Sequence, residues 1–157
     1  MQSVSEWMHS NKLTLNASKT KVMTFGTSQK MRSNNNNLNV KVGNEILENV
    51  TEFKYLGVWF DKYLRWYTHI DQTATKISQR LGVIKRLSRY VDQCTHNTLY
   101  TALIQPHIDY CCTLWTHGAN KYVNRIQILQ NQAARLTLGY RIKDVRVSDL
   151  YAEFKWM

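Results

Sequence analysis

This sequence of 157 residues has little proline or glycine, with one proline and six glycines. Because no two glycines lie close together, a glycine-rich loop that cradles phosphates is not indicated. The cysteines are Cys94, Cys111 and Cys112, an odd number with two adjacent, so the sequence predicts no disulfide framework. This cysteine usage fits a reducing, intracellular compartment, either nucleus or cytoplasm.

Long apolar runs are also missing. No stretch approaches the roughly 20 apolar residues that a membrane-spanning helix needs. The N-terminus has neither a charged leader nor an apolar run, which argues against a signal peptide. We therefore expect no membrane partner.

Acidic residues are few: 11 Asp and Glu stand against 21 Lys and Arg, giving a formal charge of +10. A pI near 9.7 favours a polyanionic partner such as nucleic acid. Nine tyrosines and five tryptophans are available to cover sugars or bases. The alternative is a basic protein whose charge serves only solubility.

The acids are also dispersed, since no two are adjacent or separated by a single residue. Two-metal catalysis needs closely spaced carboxylates, so we predict no such site. His107, Cys111, Cys112 and His117 are suitable ligand types for zinc. However, they form no CxxC or HxxxH pair, and adjacent cysteines on a helix point about 100° apart. We therefore expect neither a metal site nor a catalytic nucleophile.

The first part of the chain mixes short elements. Ser3 and Glu6 have the spacing of a capping box, which predicts a helix ending at Ser10 or Asn11. An apolar strand is expected at 22–25, and the polar stretch 27–37 is expected to be an exposed loop.

Two hairpins are predicted next. Gly43-Asn44 is typical of a two-residue turn, in a unit held by burial of Val40, Val42 and Ile46. The run 53–60 then combines β-prone residues with a glycine at which the backbone can bend or a partner can approach. It marks the change from strands to helices.

From Thr68 the apolar residues recur every three or four positions, as in an amphipathic helix. These residues are Ile70, Ala74, Ile77, Leu81 and Ile84. The remaining circumference carries Lys76, Arg80, Lys85, Arg86 and Arg89, with no acid between the first and the last. Such a helix either presents an ordinary solvated face or lies along a phosphate backbone, and we favour the second.

Further helices should follow. Thr95 is a candidate cap for the next one, and Pro106 either kinks it or begins another, with apolar spacing continuing to Trp115. The last long helix is predicted at about 121–138, stopped by Gly139. A final helical turn is expected at 148–151. Helices joined by short loops should pack as an antiparallel bundle.

Three groups of residues resemble the reverse transcriptases of non-LTR (LINE-type) retrotransposons. The first is Trp7 with Asn11-Lys12-Leu13-x-Leu15-Asn16-x-x-Lys19-Thr20-Lys21, similar to the palm segment after the catalytic hairpin of those enzymes. The second is Phe53-Lys54-Tyr55-Leu56-Gly57-Val58, which resembles the hairpin that grips the primer end. The third resembles the thumb helices: Leu99-Tyr100-x-x-Leu103-Ile104-x-Pro106-x-x-Asp109-Tyr110-Cys111 with Trp115, then Gln127-x-x-Gln130-x-x-Ala133-x-Arg135.

The resemblance implies an α+β fold, with a trailing palm segment at 1–66 and a helical thumb at 67–157. It implies contacts to nucleic acid from Lys54, Tyr55 and Gly57 at the hairpin, besides the five cations above. Lys19 matches best a lysine proposed to protonate the departing pyrophosphate, with Lys21 as the second choice. The alternative is that both are solvated lysines beside a turn. The intact family enzyme uses Mg²⁺ held by aspartates, which we expect before Met1.

The sequence thus predicts a fragment of an RNA-directed DNA polymerase that lacks the catalytic aspartates. Its expected partner is an RNA–DNA hybrid or a DNA duplex, together with the absent palm and fingers of the parent enzyme. We predict binding of a primer–template without catalysis, and no cofactor for this chain. The alternative is a helical module that binds another protein and has no nucleic-acid role.

Overall fold

The computed structural model describes residues 2–33, 38–43, 45–139, 146 and 148–149. The chain divides into two compact units, Met1–Leu64 (unit 1) and Arg65–Met157 (unit 2). Unit 1 combines short strands with short helices, whereas the described part of unit 2 is helical. The predicted α+β class is confirmed.

Unit 1 contains three two-stranded sheets in its described part. Its helices are α1 (Gln2–Ser10), a 3₁₀ turn (Ala17–Lys19) and α2 (Ser28–Ser33). Its strands are β1 (Lys21–Val22), β2 (Lys41–Val42), β3 (Glu45–Ile46), β4 (Glu48–Asn49), β5 (Glu52–Tyr55) and β6 (Val58–Asp61). Strand β1 pairs with β4 in parallel, whereas β2–β3 and β5–β6 are antiparallel hairpins. The predicted first helix and both hairpins are confirmed.

The strand expected at 22–25 is wrong in extent, because ladder pairing stops at Val22. The prediction of a loop at 27–37 is also wrong in part, since residues 28–33 form α2. The Thr27 hydroxyl oxygen accepts a hydrogen bond from the Lys30 backbone N–H at 3.4 Å and caps this helix. Residues 34–37 of that loop lie outside the described residues.

The first hairpin does not bury the three side chains that were predicted to hold it, since Val40 and Val42 are only half-buried. Ile46 is 62% exposed, whereas its neighbour Leu47 is only 2% exposed, so the predicted burial of Ile46 is wrong. The Leu47 N–H donates to the Val40 carbonyl at 2.9 Å, which continues the pairing one residue beyond β3. Successive strand residues point to opposite faces, so turning Leu47 inward turns Ile46 outward.

Unit 2 begins with one long helix. Its described helices are α3 (Tyr67–Leu87), α4 (Gln93–Leu103), α5 (Gln105–Asp109), α6 (Cys112–Trp115) and α7 (Asn120–Thr137). All five predicted apolar positions of α3 are buried, which confirms the helical period that the sequence indicated. The core of unit 2 also contains the buried apolar residues Tyr100, Ile104, Trp115 and Ile126.

Two details between α3 and α7 differ from expectation, and a third was left open by the sequence. The cap of α4 is Asp92, whose carboxylate accepts the Thr95 backbone N–H at 2.9 Å, so the assignment of the cap to Thr95 is wrong. Pro106 stands in the first turn of α5, which resolves the two alternatives in favour of a new helix. A further break follows at Cys111, whose φ of 52° is left-handed.

The last long helix is confirmed with nearly the predicted bounds, and Gly139 follows it at a φ of 72°. Of the final turn expected at 148–151, Ser148 and Asp149 are helical, and residues 150–151 lie outside the described residues. Among the helices that the structure describes, none is long and apolar enough to cross a membrane.

Candidate nucleic-acid interface

The β5–β6 hairpin presents the first group of predicted site residues. Leu56 and Gly57 form its two-residue turn with φ values of 46° and 86°. Positive φ at both positions is the mark of a type I′ turn, whose twist matches that of the two strands. Gly57 adopts this conformation readily, whereas a leucine does so at an energetic cost. The turn is exposed and lies at the tip of the hairpin.

Lys54 and Tyr55 lie on opposite faces of this hairpin. Tyr55 is paired with Val58 and shares a face with Phe53, whereas Lys54 is paired with Trp59 on the other face. Tyr55 is 59% exposed and Lys54 is exposed as well. One partner can therefore touch both side chains only around the tip or edge of the hairpin.

An apolar groove of about 460 Å³ lies beside this hairpin within unit 1. Its walls come from Met23, Phe25, Val50, Phe53, Tyr55 and Phe60, and Lys19 and Lys21 also line it. The rings of Phe25 and Phe60 meet edge to face, with centroids 6.5 Å apart. The structure thus brings Lys19 and Tyr55 to one groove, although they are far apart in the sequence. Sequence reasoning missed the groove, because no local pattern links the three stretches of chain, 19–25, 50–55 and Phe60, that line it.

The two lysines of the groove differ in their partners. Lys21 forms an ion pair with Glu48 across the parallel β1–β4 pair. Lys19 ends the 3₁₀ turn, is exposed, and has its backbone N–H bound by the Asn16 side chain at 3.2 Å. Of the described ion pairs, none uses the Lys19 ammonium group. Lys19 is therefore the lysine whose charge is available to a ligand of the groove.

The second group of predicted site residues lies on α3 and the turn that follows it. Lys76, Lys85, Arg86 and Arg89 are exposed, and Arg80 is half-buried. Within the described part of unit 2 the one ion pair is Arg125 with Asp71, so none of these five cations is paired with a described carboxylate. Arg80 reaches back to the Lys76 carbonyl at 3.5 Å.

The five cations do not share one face of the helix. At about 100° per residue, Lys76 and Lys85 project from opposite sides of α3. Lys85, Arg86 and Arg89 lie together near the C-terminal end, and we call these three the basic cluster. A straight duplex can lie against only one side of a helix, so the basic cluster and the Lys76–Arg80 pair are separate surfaces.

Burial and nearby cations of α3 lower the pKa values of two histidines in unit 2. Burial lowers the pKa of His69 below its ordinary value, and Lys76 adds to the effect. Burial likewise lowers the pKa of His107, with further contributions from Arg80 and Lys76. His69 is 6% exposed and its ring lies 6.2 Å from that of Trp115. Both imidazoles are therefore kept neutral near pH 7.

Comparison with known proteins points to one class of enzyme. The chain is 29% identical over 90 residues to a probable RNA-directed DNA polymerase from the transposon X-element of Drosophila melanogaster. It is 31% identical over 93 residues to a probable RNA-directed DNA polymerase from the transposon BS of the same organism. The resemblance to non-LTR retrotransposon reverse transcriptases is confirmed.

The similarity to these reverse transcriptases covers 55% and 57% of this chain. In each case it covers 10% of the polymerase, so the chain spans about a tenth of the length of the relatives it matches. No family model matches the chain, and no solved structure matches it.

The described residues do not fit the Mg²⁺ chemistry that a reverse transcriptase implies. In the ranges that the structure describes, no three side chains of His, Cys, Asp or Glu are grouped so that they could hold a metal ion. Two carboxylates already form ion pairs: Glu48 with Lys21, and Asp71 with Arg125.

Proposed function

We propose that this chain is the nucleic-acid-holding part of an RNA-directed DNA polymerase. It corresponds to the trailing edge of the palm followed by the thumb, and it binds a primer–template as an RNA–DNA hybrid or a DNA duplex. The observation that carries the proposal is the basic cluster, whose three cations have no described carboxylate partner. The similarity to two transposon polymerases supports the choice of nucleic acid as the polyanion.

The basic cluster carries the main contact to the phosphate backbone. Cations near a helix C-terminus also stabilise the helix dipole, by about 0.3–1 kcal/mol each, which offers a purely structural role for Lys85 and Arg86. That role does not extend to Arg89, which follows the end of α3 at Leu87. Three neighbouring cations without described partners form a surface that attracts phosphates and releases counterions.

The hairpin supplies a second contact, to the primer end. Its exposed tip places Gly57 where backbone can approach a ligand closely, with Lys54 and Tyr55 on either face. Tyr55 can stack on a base or sugar while Lys54 contacts phosphate. In the intact polymerase Lys19 is the candidate acid that protonates the leaving pyrophosphate, with palm and fingers supplied by other residues of that enzyme.

In this proposal the chain itself does not catalyse polymerisation. Polymerisation requires two Mg²⁺ ions held by closely spaced carboxylates, and the 11 acids of this sequence are too dispersed to provide them. The intact polymerase would receive its metal ligands from elsewhere. The chain then contributes position and orientation, and the reaction occurs at other residues.

Salt-dependent binding to duplex tests this proposal. For three phosphate contacts, log affinity should fall with log salt at a slope of about −2.7 for B-DNA. Changing Arg86 and Arg89 together to glutamine should flatten the slope by about 1.8. The measurement is fluorescence anisotropy of a labelled duplex across a salt series.

The matched control is Lys121→Gln with Arg146→Gln, which removes the same charge from exposed sites outside α3. It should leave the slope nearly unchanged. A flat salt response of the unmodified chain would favour the protein-binding alternative, for which the exposed Trp7 and Phe25 (61% and 51%) are the starting surface.

A further inference from the structure

Two cations in the middle of α3, Lys76 and Arg80, lie close together without a counterion. Lys76 is exposed and Arg80 is half-buried. The guanidinium group of Arg80 folds back along the helix and donates to the Lys76 backbone carbonyl at 3.5 Å. Like charges one turn apart destabilise a helix, and of the ion pairs that the structure describes none involves either side chain. An anion bound beside both cations would offset their repulsion.

A third group that can carry positive charge lies on the neighbouring helix. Helix α5 packs against α3, and its residue His107 lies within the electrostatic influence of both Arg80 and Lys76. The imidazole of His107 is half-buried, and no described residue forms a hydrogen bond with it. Its ring nitrogens are not among the polar atoms sealed from solvent, so a ligand from solution can reach them. We call Lys76, Arg80 and His107 together the His107 surface.

The carboxylates of α5 and α3 are engaged elsewhere. Asp109 of α5 accepts a hydrogen bond from the Gln105 side chain at 2.8 Å. These two residues lie one turn apart and share a face, whereas His107, at about 200° from each, projects from the other side of the helix. On α3, Asp71 forms an ion pair with Arg125 of α7. No described carboxylate therefore competes with an anion at the His107 surface.

Helix α4 is the other helix packed against α5, and its described residues bring no charge to this surface. Its titratable groups are Cys94, His96 and Tyr100. Cys94 and His96 lie in the first turn, about 10 Å along the axis from the end that joins α5. Tyr100 is 1% exposed, and a phenol is neutral near pH 7. Burial and the two cations of α3 are thus the influences that set the charge of His107.

We propose that the His107 surface binds a phosphate group and that His107 takes up a proton from solution when the phosphate binds. The ammonium group of Lys76 and the guanidinium group of Arg80 attract the oxyanion and donate charged hydrogen bonds to it. The protonated imidazole adds an N–H donor from α5. The source of the phosphate rests on the proposed function: it is the backbone of a bound nucleic acid, and a free oxyanion is the other source.

Binding and protonation should strengthen each other. Without a ligand, burial and the two cations hold the pKa of His107 below its ordinary value. A bound anion offsets the cations and raises that pKa, so the bound state takes up a proton. By reciprocity, the protonated form of His107 binds the anion more tightly. The affinity should therefore rise as the pH falls from the pKa of the bound state to the lower pKa of the free state.

Titration with sulfate tests the His107 surface, because sulfate remains a dianion from about pH 7.5 to 5.5, where histidine is the side chain that ordinarily titrates. The ring nitrogens of His107, followed by NMR, should shift in a saturable manner. The pKa of His107 should be higher in the sulfate-saturated protein than in the free protein. Sulfate affinity should increase by about fivefold or more from the upper to the lower pH. Absence of a saturable His107 shift in the unmodified, folded protein overturns the proposal, and so does a sulfate affinity that is independent of pH.

Variants of the two cations separate a site from general charge attraction. Arg80→Gln should weaken sulfate binding by about tenfold and raise the pKa of His107 in the free protein, since it removes a donor and a repelling charge. Lys76→Gln changes an exposed side chain, so it leaves the fold intact even if Arg80→Gln does not, and should weaken binding by about two- to fivefold. Lys121→Gln is the matched control, because Lys121 is an exposed cation at the start of α7. Equal weakening by Lys121→Gln and Lys76→Gln overturns the proposal.

The proton linkage has its own pair of variants. His107→Gln keeps a side-chain donor but cannot take up a proton, so sulfate affinity should no longer depend on pH between about 7.5 and 5.5. His117→Gln removes an exposed histidine outside the described helices and should leave the pH dependence in place. Loss of the pH dependence in His117→Gln, or its persistence in His107→Gln, overturns the assignment to His107.

A final comparison identifies the source of the phosphate. A DNA duplex is titrated at low salt while the His107 resonances are followed. A His107 shift that the duplex produces and that Lys76→Gln weakens supports a backbone phosphate as the ligand, whereas a shift with sulfate alone supports a free oxyanion. Absence of salt-dependent duplex binding with the sulfate response retained counts against the proposed function and leaves the His107 surface supported. Duplex binding without a His107 response to either anion overturns the His107 surface and leaves the proposed function standing.

Discussion

Unit 1 and unit 2 differ sharply in how much apolar surface they bury. Among the described residues, unit 1 contributes only Leu47 and Val58 to the buried apolar side chains, and the other twelve lie in unit 2. Unit 1 instead leaves large side chains such as Trp7, Phe25 and Leu56 exposed. The chain therefore joins a well-packed helical unit to one with a very small core.

The difference follows from the kind of element in each unit. An amphipathic helix such as α3 completes its own backbone hydrogen bonds and needs only one apolar face covered. A two-stranded sheet leaves strand edges unpaired, and it is marginally stable unless further strands or a helix cover it. The pairs β1–β4 and β2–β3 have only two residues per strand, so few inter-strand hydrogen bonds stabilise these two sheets of unit 1.

The strongest test of this comparison separates the two units. Residues 65–157 expressed alone should unfold cooperatively in urea, because nearly all the described core lies there. Residues 1–64 alone should show no cooperative transition, since the two buried apolar side chains among the described residues of this segment cannot offset the entropy of ordering the chain. Circular dichroism during urea titration provides the measurement. A sharp transition in the 1–64 fragment would contradict the comparison.

Within unit 2, the next largest effect is expected from removing its largest core side chain. Trp115 is 1% exposed, and its indole N–H donates to the Tyr110 carbonyl at 3.2 Å. Trp115→Ala should lower the free energy of unfolding by about 3–5 kcal/mol. Leu114→Ala is the control, because Leu114 is 45% exposed and its loss should cost far less. Similar costs for both variants would show that the core is not where the structure places it.

Acid should destabilise unit 2 through His69 and His107. Both pKa values are lowered in the folded chain, so the unfolded state binds more protons at mildly acidic pH. Above a pH of about 6.5 both histidines are mainly neutral in either state, and stability is at its full value. As the pH falls below about 6.5 and through the lowered pKa values of the folded chain, this stability is lost. Urea unfolding at a series of pH values from about 7 to 5 measures the loss.

His69→Phe should reduce this pH dependence, since it removes one of the two titrating groups while retaining an aromatic ring. The lowered pKa of Asp92, caused chiefly by its hydrogen bonds to Thr95, acts at more acidic pH and does not overlap this window. A free energy of unfolding that rises on acidification would show that the imidazoles are stabilised in their charged form.

The smallest effect is expected at the tip of the β5–β6 hairpin. Leu56 adopts a φ of 46°, which costs a leucine more than an asparagine. Leu56→Asn creates the Asn-Gly pair favoured in type I′ turns and should stabilise the hairpin by about 0.5–1 kcal/mol. Amide hydrogen exchange of residues 52–61 reports the change. Leu56→Ala keeps the unfavourable φ and should not slow exchange, whereas faster exchange in Leu56→Asn would oppose the argument.

The sequence alone determined the elements whose signal is local. The three- and four-residue spacing from Ile70 to Ile84 predicted α3 and its buried side, because one helix face repeats at that period. Gly139 marked the end of α7, and the run 53–60 with its glycine predicted the second hairpin. The resemblance to retrotransposon reverse transcriptases also came from residue order and spacing, and similarity to two known polymerases confirmed it.

Tertiary structure decided what depends on partners distant in sequence. The choice of Leu47 over Ile46 as the buried residue follows from pairing with Val40, and the break at Cys111 requires a left-handed residue that no propensity favours. The groove that unites Lys19 with Tyr55 combines segments that are separate in the sequence. Local sequence patterns fix which residues form a helix or a turn, whereas long-range packing fixes which side chains of those elements meet.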